Sequence, residues 1–197
     1  MTASRPVSST LHKPNPVKAL LAALAYQGYN SCFTRMPFHF LRKLYLTSIL
    51  GIRIGTGTFI GMGCFFTGRN IIIGSHTVVN RRCYLDGRAG LRIGDNVSIS
   101  PECYLLSLGH GVQSPDFIGV PAPSSLGDYV WLGARAMVLP GVDMGRGSVA
   151  GAGAVVTRSC GEFEIVAGVP AKKIGDRNRE LRYTLDYFPL FDTDIRC

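Results

Sequence analysis

The first 85 residues contain no aspartate or glutamate, although they hold ten of the chain's 21 lysines and arginines. All 13 acidic residues fall between positions 86 and 197, beside eleven basic ones, so the front is strongly cationic and the rest nearly balanced. Two readings of this front stand side by side. It meets an anion (cofactor phosphates, a sugar on a lipid phosphate, or a membrane surface), or it is a solvated basic face. A long apolar run is also missing. Ala19 to Tyr26 covers eight residues, against the roughly 20 that cross a bilayer. It follows Lys18 but lacks a following A-x-A site, which argues against a secretory leader. Six cysteines occur without a CxxC pair, which excludes a zinc-ribbon spacing and favours a reducing compartment. Charged residues make up only 17% against 46% hydrophobic, which excludes a disordered chain. No nucleic-acid reader motif accompanies the basic residues, so no nucleic-acid partner is expected.

What is abundant is glycine, 24 residues without a collagen period, as expected of a chain with many tight corners. Beyond residue 51 apolar, mostly aliphatic side chains recur every sixth position: Ile54, Ile60, Phe66; Ile73, Val79, Leu85; Ile93, Ile99, Leu105; Leu126, Leu132, Val138; Met144, Ala150, Val156. Four residues after each stands a small or β-branched residue, among them Thr58, Cys64, Thr77, Cys83, Cys103, Ala136, Ala154 and Cys160. A helix drifts out of register with this period, and a flat strand has no use for the corner residues. A three-sided prism satisfies both, with one short strand and one corner per six residues and one coil per eighteen. The starts at 54, 73, 93, 126 and 144 give about five stacked coils, a quasi-one-dimensional core. One insertion, about Leu108 to Ser125, carries three Gly and three Pro and reads as a protruding loop.

Ahead of the prism, residues 1–16 read as a poorly ordered tail, and Val17 to about Asn30 as a helix with Val17, Leu20, Leu21 and Leu24 on one stripe. Pro37 opens a second helix to about Leu50, with Leu41, Leu44, Tyr45 and Ile49 at helical spacing beside Arg42 and Lys43. That stripe either packs on the domain or lies on a membrane surface. The expected organisation is a tail and amphipathic helices over 1–50, a β-helix domain over 51–175 and a C-terminal extension over 176–197.

The stretches Ile93-Gly-Asp-Asn-Val-Ser-Ile-Ser-Pro101, Val130-Trp-Leu-Gly133, Pro140-Gly-Val142, Val149-Ala-Gly-Ala-Gly-Ala-Val-Val-Thr157 and Ala167-Gly-Val-Pro-Ala171 resemble the hexapeptide-repeat acyltransferases. Within that family they are similar to the galactoside and maltose O-acetyltransferases and to the exopolysaccharide acetyltransferases of the colanic-acid type. The resemblance covers about residues 51–175. It implies an all-β, left-handed parallel β-helix, a homotrimer, acetyl-CoA as co-substrate without a metal, and a carbohydrate acceptor. The cysteine usage goes with a cytoplasmic enzyme, and the basic front allows a peripheral contact with the inner membrane face.

A hydroxyl attacking a thioester needs a base, and histidine is suited to it at neutral pH. His12 lies in the tail, His39 in the basic helix and His76 at an outward corner, whereas His110 stands between Gly109 and Gly111 where the prism opens into the long loop. The resemblance places the catalytic histidine at His110. Many exopolysaccharide relatives follow it with Asp; here Gly111 stands there, leaving Asp116, a backbone carbonyl or Glu102 to orient the ring. Asn80 matches the residue that helps hold the acceptor, or else it satisfies its own corner. Arg81 and Arg82 beside it meet an anionic acceptor or solvent. The resemblance carries acetyl-CoA binding onto Trp131, Ala134 (through its N–H), Ala152, Thr157, Arg158 and Lys172; for the two cations, attraction to phosphate argues independently. No cysteine adjoins His110 in the repeat, so direct transfer is expected. The alternatives are an antibiotic or other small-molecule O-acetyltransferase, a non-catalytic scaffold, and a zinc hydratase, which needs three converging histidines where the coils offer His76 and His110.

Overall fold

The computed structural model describes residues 15–193. The expected tail, His12 included, lies outside the described residues except for Asn15 and Pro16. From Arg53 the chain winds into a column of three parallel sheets, each gaining one short strand per coil. The six-residue period sets the register. On the first face Ile54, Ile73, Ile93, Leu126 and Met144 stack in turn. On the second, Ile60, Val79, Ile99, Leu132 and Ala150 do so, and on the third Phe66, Leu85, Leu105, Val138 and Val156. All of these except Ile54 are buried. Each large one contributes about 1.5–3 kcal/mol by leaving water. Beyond five complete coils, a bridge from Met144 to Cys160 and the strand Glu164–Gly168 start a further turn, so the column runs to a sixth. Ala171–Asp176 then folds back antiparallel on that strand.

The corner residues explain themselves by hydrogen bonding. The Cys64, Cys83 and Cys103 thiols donate to the corner carbonyls of Asn80, Ser100 and Gly133 in the next coil, at 3.1, 3.3 and 3.2 Å. Thr58 donates to Gly74 O at 2.6 Å and accepts the Thr77 N–H. These are small side chains that fit a narrow edge and still satisfy backbone groups there. Gly133 follows its aliphatic residue because coils approach closely: a Cβ there would stand 2.5 Å from Ala152 N.

Two helices cover the first coil, α1 (Pro16–Ser31) and α2 (His39–Ser48). Asn15 caps α1 by accepting the Val17 N–H. Pro37 does not open α2; it stands ahead of Phe38, the residue that precedes the helix. The α1 stripe is largely exposed: Val17, Leu20, Leu21 and Leu24 face away from the column, and the buried anchor is Tyr29 in the last two turns. In α2 the buried face is rotated from the expected stripe. Leu44 and Ile49 are exposed, while Leu46 and, against expectation, Arg42 are fully buried. The Arg42 guanidinium donates to Met36 O and Ile60 O, so its fork ties the helix to the link that precedes it and to the edge strand of the first coil. Burial depresses its pKa from the ordinary value. The C-terminal segment returns to the same coil, where buried Asp192 accepts the Met62 N–H at 2.6 Å and pairs with Arg81 at 3.4 Å.

Candidate functional site

The insertion after the third coil is not an irregular loop. Leu108–His110 pairs antiparallel with Gly119–Pro121, and His110 lies opposite Gly119. The hairpin leaves the column at the corner between the third and first faces. Its root is braced by Asp86, a fully buried carboxylate that accepts the Ser107 N–H at 3.2 Å and grips the Arg88 side chain at 2.9 and 3.0 Å. Burial works to raise the Asp86 pKa, but the Arg88 guanidinium and the two N–H donors overcome it and hold the carboxyl below its ordinary range.

His110 is exposed at the hairpin edge. Its ring stacks on Phe117, centroids 4.1 Å apart and planes within 6°. Nδ1 lies 3.0 Å from the Phe117 carbonyl oxygen. A carbonyl only accepts, so Nδ1 carries the hydrogen and the neutral ring presents the lone pair of Nε2 outward. The orienting group is therefore a backbone carbonyl. Glu102, instead, is engaged by Arg82 and Arg135 at 2.9 and 2.7 Å. Phe117 was missed by sequence reasoning, and the only signal was the hairpin register that sets it beside His110.

The other histidines are committed elsewhere. His39 Nε2 accepts the Ile60 N–H at 3.1 Å, and burial, with Arg42 and Lys43 nearby, pushes its pKa down to about 4. His76 sits at an outward corner with Nδ1 3.2 Å from Asp186. Among the described residues no group of three His, Cys, Asp or Glu side chains could hold a metal ion. The Cys103 thiol is equally unsuited to attack: the hydrogen bond with Cys83 and burial push its pKa up.

The residues expected to meet acetyl-CoA divide between two edges of the column. Ala134 and Ala152 line a shallow cavity of about 500 Å³ with Pro101, Glu102, Arg135 and Gly153, at the corner between the second and third faces. The Ala134 N–H donates to no acceptor among the described residues, so it is available to a ligand oxygen. Trp131 is half-exposed on the adjoining face and donates from Nε1 to Ser100 Oγ at 3.2 Å. Thr157 and Arg158 stand exposed at the other corner, the one carrying His110, two coils further on. Lys172 is exposed on the terminal return strand opposite Ala167. Asn80 is half-buried, and its amide nitrogen donates to Ile99 O at 3.0 Å; this satisfies the corner and leaves Oδ1 as its remaining polar atom. One chain thus brings His110, Thr157 and Arg158 to one edge and Ala134, Ala152 and Trp131 to another.

The family model described as the hexapeptide repeat of succinyl-transferase matches residues 123–158. The galactoside O-acetyltransferase of Escherichia coli K12 is 32% identical over 143 residues, covering 68% of this chain and 69% of that protein. A candidate acetyltransferase of Schizosaccharomyces pombe is 37% identical over 116 residues, and there the match spans 56% of this chain and about half, 55%, of the relative. Among solved structures, a galactoside acetyltransferase in complex with coenzyme A superposes with a TM-score of 0.73 at 26% identity, covering 86% of each chain.

Proposed function

The chain belongs to the hexapeptide-repeat acyltransferase family, and on that premise we propose that it is an acetyl-CoA-dependent O-acetyltransferase acting on a hydroxyl of a sugar or polysaccharide precursor. The observation that carries the reading is the imidazole of His110, held by the Phe117 carbonyl with Nε2 open. Nε2 takes the hydroxyl proton as the oxygen attacks the acetyl carbonyl. The Ala134 N–H is placed to stabilise the oxyanion, and collapse expels the CoA thiolate, which recovers the proton from the imidazolium. The unengaged Ala134 N–H and the open cavity beside it fit the thioester end of acetyl-CoA, and Trp131, Ala152, Thr157, Arg158 and Lys172 fit its pantetheine and phosphates.

Because His110 and Ala134 occupy different corners of one column, a complete site needs a second copy. The outward side of the third face supplies a reason for copies to meet. Phe65, Tyr84 and Tyr104 stack in register on it with centroids 5.2 and 5.9 Å apart, and Met137 and Val155 continue the column. A homotrimer, each corner meeting the next copy's face, closes this heterologous contact. We place the enzyme in the cytoplasm; the exposed Val17, Leu20, Leu21 and Leu24 beside Lys18 support a peripheral hold on the inner membrane face. The test is release of thiol from acetyl-CoA by the purified protein over a panel of neutral and charged sugars. Acceptor-dependent release with at least one sugar is expected; release that no sugar accelerates would overturn the reading.

A further inference from the structure

A strongly cationic concavity of the column lies outside everything assigned above. On the first face, at the root of the hairpin, a groove of about 790 Å³ is lined by Arg53, Arg69 and Arg92, with Asn70, Ser125 and Asp143. Arg53 and Arg92 flank Ile72 on neighbouring strands of one outward column, which sets their Cα atoms about 9–10 Å apart. Among the described residues the arginine ion pairs are those of Arg81, Arg82, Arg88, Arg135, Arg146 and Arg182, so all three groove arginines lack a carboxylate partner there. The one acid in the groove, Asp143, already accepts the Ser125 hydroxyl. Three guanidiniums held together in a concavity with one committed carboxylate repel one another, and an anion relieves that repulsion.

We infer that this groove seats a phosphoryl group carried by the acceptor. The charge suits it: three planar forks offer more donors than one carboxylate can accept, and a phosphoryl group has three oxygens to receive them. The position suits it too. Gly90 and Pro123, on either side of the hairpin's departure, form part of the groove wall. The groove's arginines lie from there toward the first coil, its other end reaching Ser125 and Asp143, whereas Ala152, Thr157, Arg158 and Lys172 lie beyond His110 toward the last. A ligand bridging the groove and His110 therefore approaches from the side opposite the donor. Only this placement on the acceptor rests on the acyl-transfer reading; the anion seat rests on the arginines.

The test is calorimetric titration of the full chain with inorganic diphosphate, glucose 1-phosphate and glucuronate, with and without saturating CoA, and flotation with phosphatidylcholine vesicles with or without phosphatidylglycerol. Diphosphate and glucose 1-phosphate bind, CoA does not displace them, and glucuronate binds more weakly. Arg53→Ala and Arg92→Ala each weaken binding about ten-fold, Arg92→Lys recovers part of the loss, and Arg35→Ala, an exposed arginine outside the groove, changes nothing. Vesicle binding that needs phosphatidylglycerol together with Arg53 and Arg92 assigns the phosphoryl group to a lipid, and soluble binding alone assigns it to a free sugar phosphate. Equal losses for Arg35→Ala, displacement by CoA, or glucuronate binding as tight as glucose 1-phosphate would overturn the inference. Tight diphosphate binding in a protein that transfers acetyl to no acceptor removes the acyl-transfer reading and leaves the anion seat standing. Transfer to neutral sugars with no diphosphate binding does the reverse.

Discussion

The column and the segments hung on it are built by different rules. In the column every residue position is repeated by the coil above and the coil below. Leu132, for instance, stacks between Ile99 and Ala150 and is wholly buried. In the hairpin nothing repeats: His110 and Phe117 are exposed, and their geometry depends on one antiparallel pairing and one ring stack. The helices that cover the first coil are a third case, held by a few buried side chains such as Tyr29 and Leu46 and by single polar contacts such as Arg42 to Ile60 O and His39 to Ile60 N–H. The comparison teaches where stability and chemistry reside. Repetition supplies cooperative burial and little singularity, while the unrepeated segments supply the singular groups that chemistry needs.

The contrast breaks most visibly at the column. Leu132→Ala removes a fully buried side chain and is expected to cost about 3 kcal/mol, read as a drop in the denaturation midpoint at unchanged slope. A cost near zero would mean that the coils do not share one core. Asp86→Ala tests the joint between column and hairpin. It strips the Ser107 N–H and the Arg88 fork of their acceptor, so we expect about 2 kcal/mol in stability together with a fall in kcat/KM, since the hairpin root loosens. Loss of stability with kcat/KM unchanged would separate the root from the position of His110.

The smallest effect belongs to the helices and depends on pH. The folded-state pKa of His39, about 4, lies below its ordinary 6.5 because the ring is buried and near Arg42 and Lys43. The folded state thus binds fewer protons than the unfolded state between those values. The contribution is fully present above pH 6.5 and is lost as pH falls toward 4. After allowance for the partial exposure of the ring we expect about 1 kcal/mol, absent in His39→Gln, read from denaturation midpoints across that range.

Legibility in the sequence follows the same division. The coil starts at 54, 73, 93, 126 and 144 pair in register along the first face, because burial with a period of six leaves a mark in residue type. The partial turn that adds to these five coils is faint in the sequence, since it starts on Cys160 where every earlier coil starts on an aliphatic residue or methionine, although Val166 follows at the same spacing of six. The hairpin was read as a loop because its strands, Leu108–His110 and Gly119–Pro121, are short, exposed and rich in glycine. Burial of Arg42 was illegible for a different reason: a basic residue beside an apolar stripe reads as solvated, and only the carbonyls of Met36 and Ile60 waiting beneath it reverse that. Of the site, His110 was identified through its place after the third coil, while the Phe117 carbonyl that orients it carries no side-chain signature at all. The division of Ala134 and His110 between two edges likewise follows from winding, which residue types do not announce.

The central claim is that the column holds one imidazole in place to activate a hydroxyl. It is tested most directly by kcat/KM for acetyl transfer in His110→Ala, measured beside its melting temperature. We predict a fall of about 10²–10⁴-fold with the melting temperature within a degree or two of the parent, because the ring is exposed and its contacts, the Phe117 ring and carbonyl, stay within the hairpin and leave the buried column untouched. Transfer at the parent rate by a folded His110→Ala protein would contradict it.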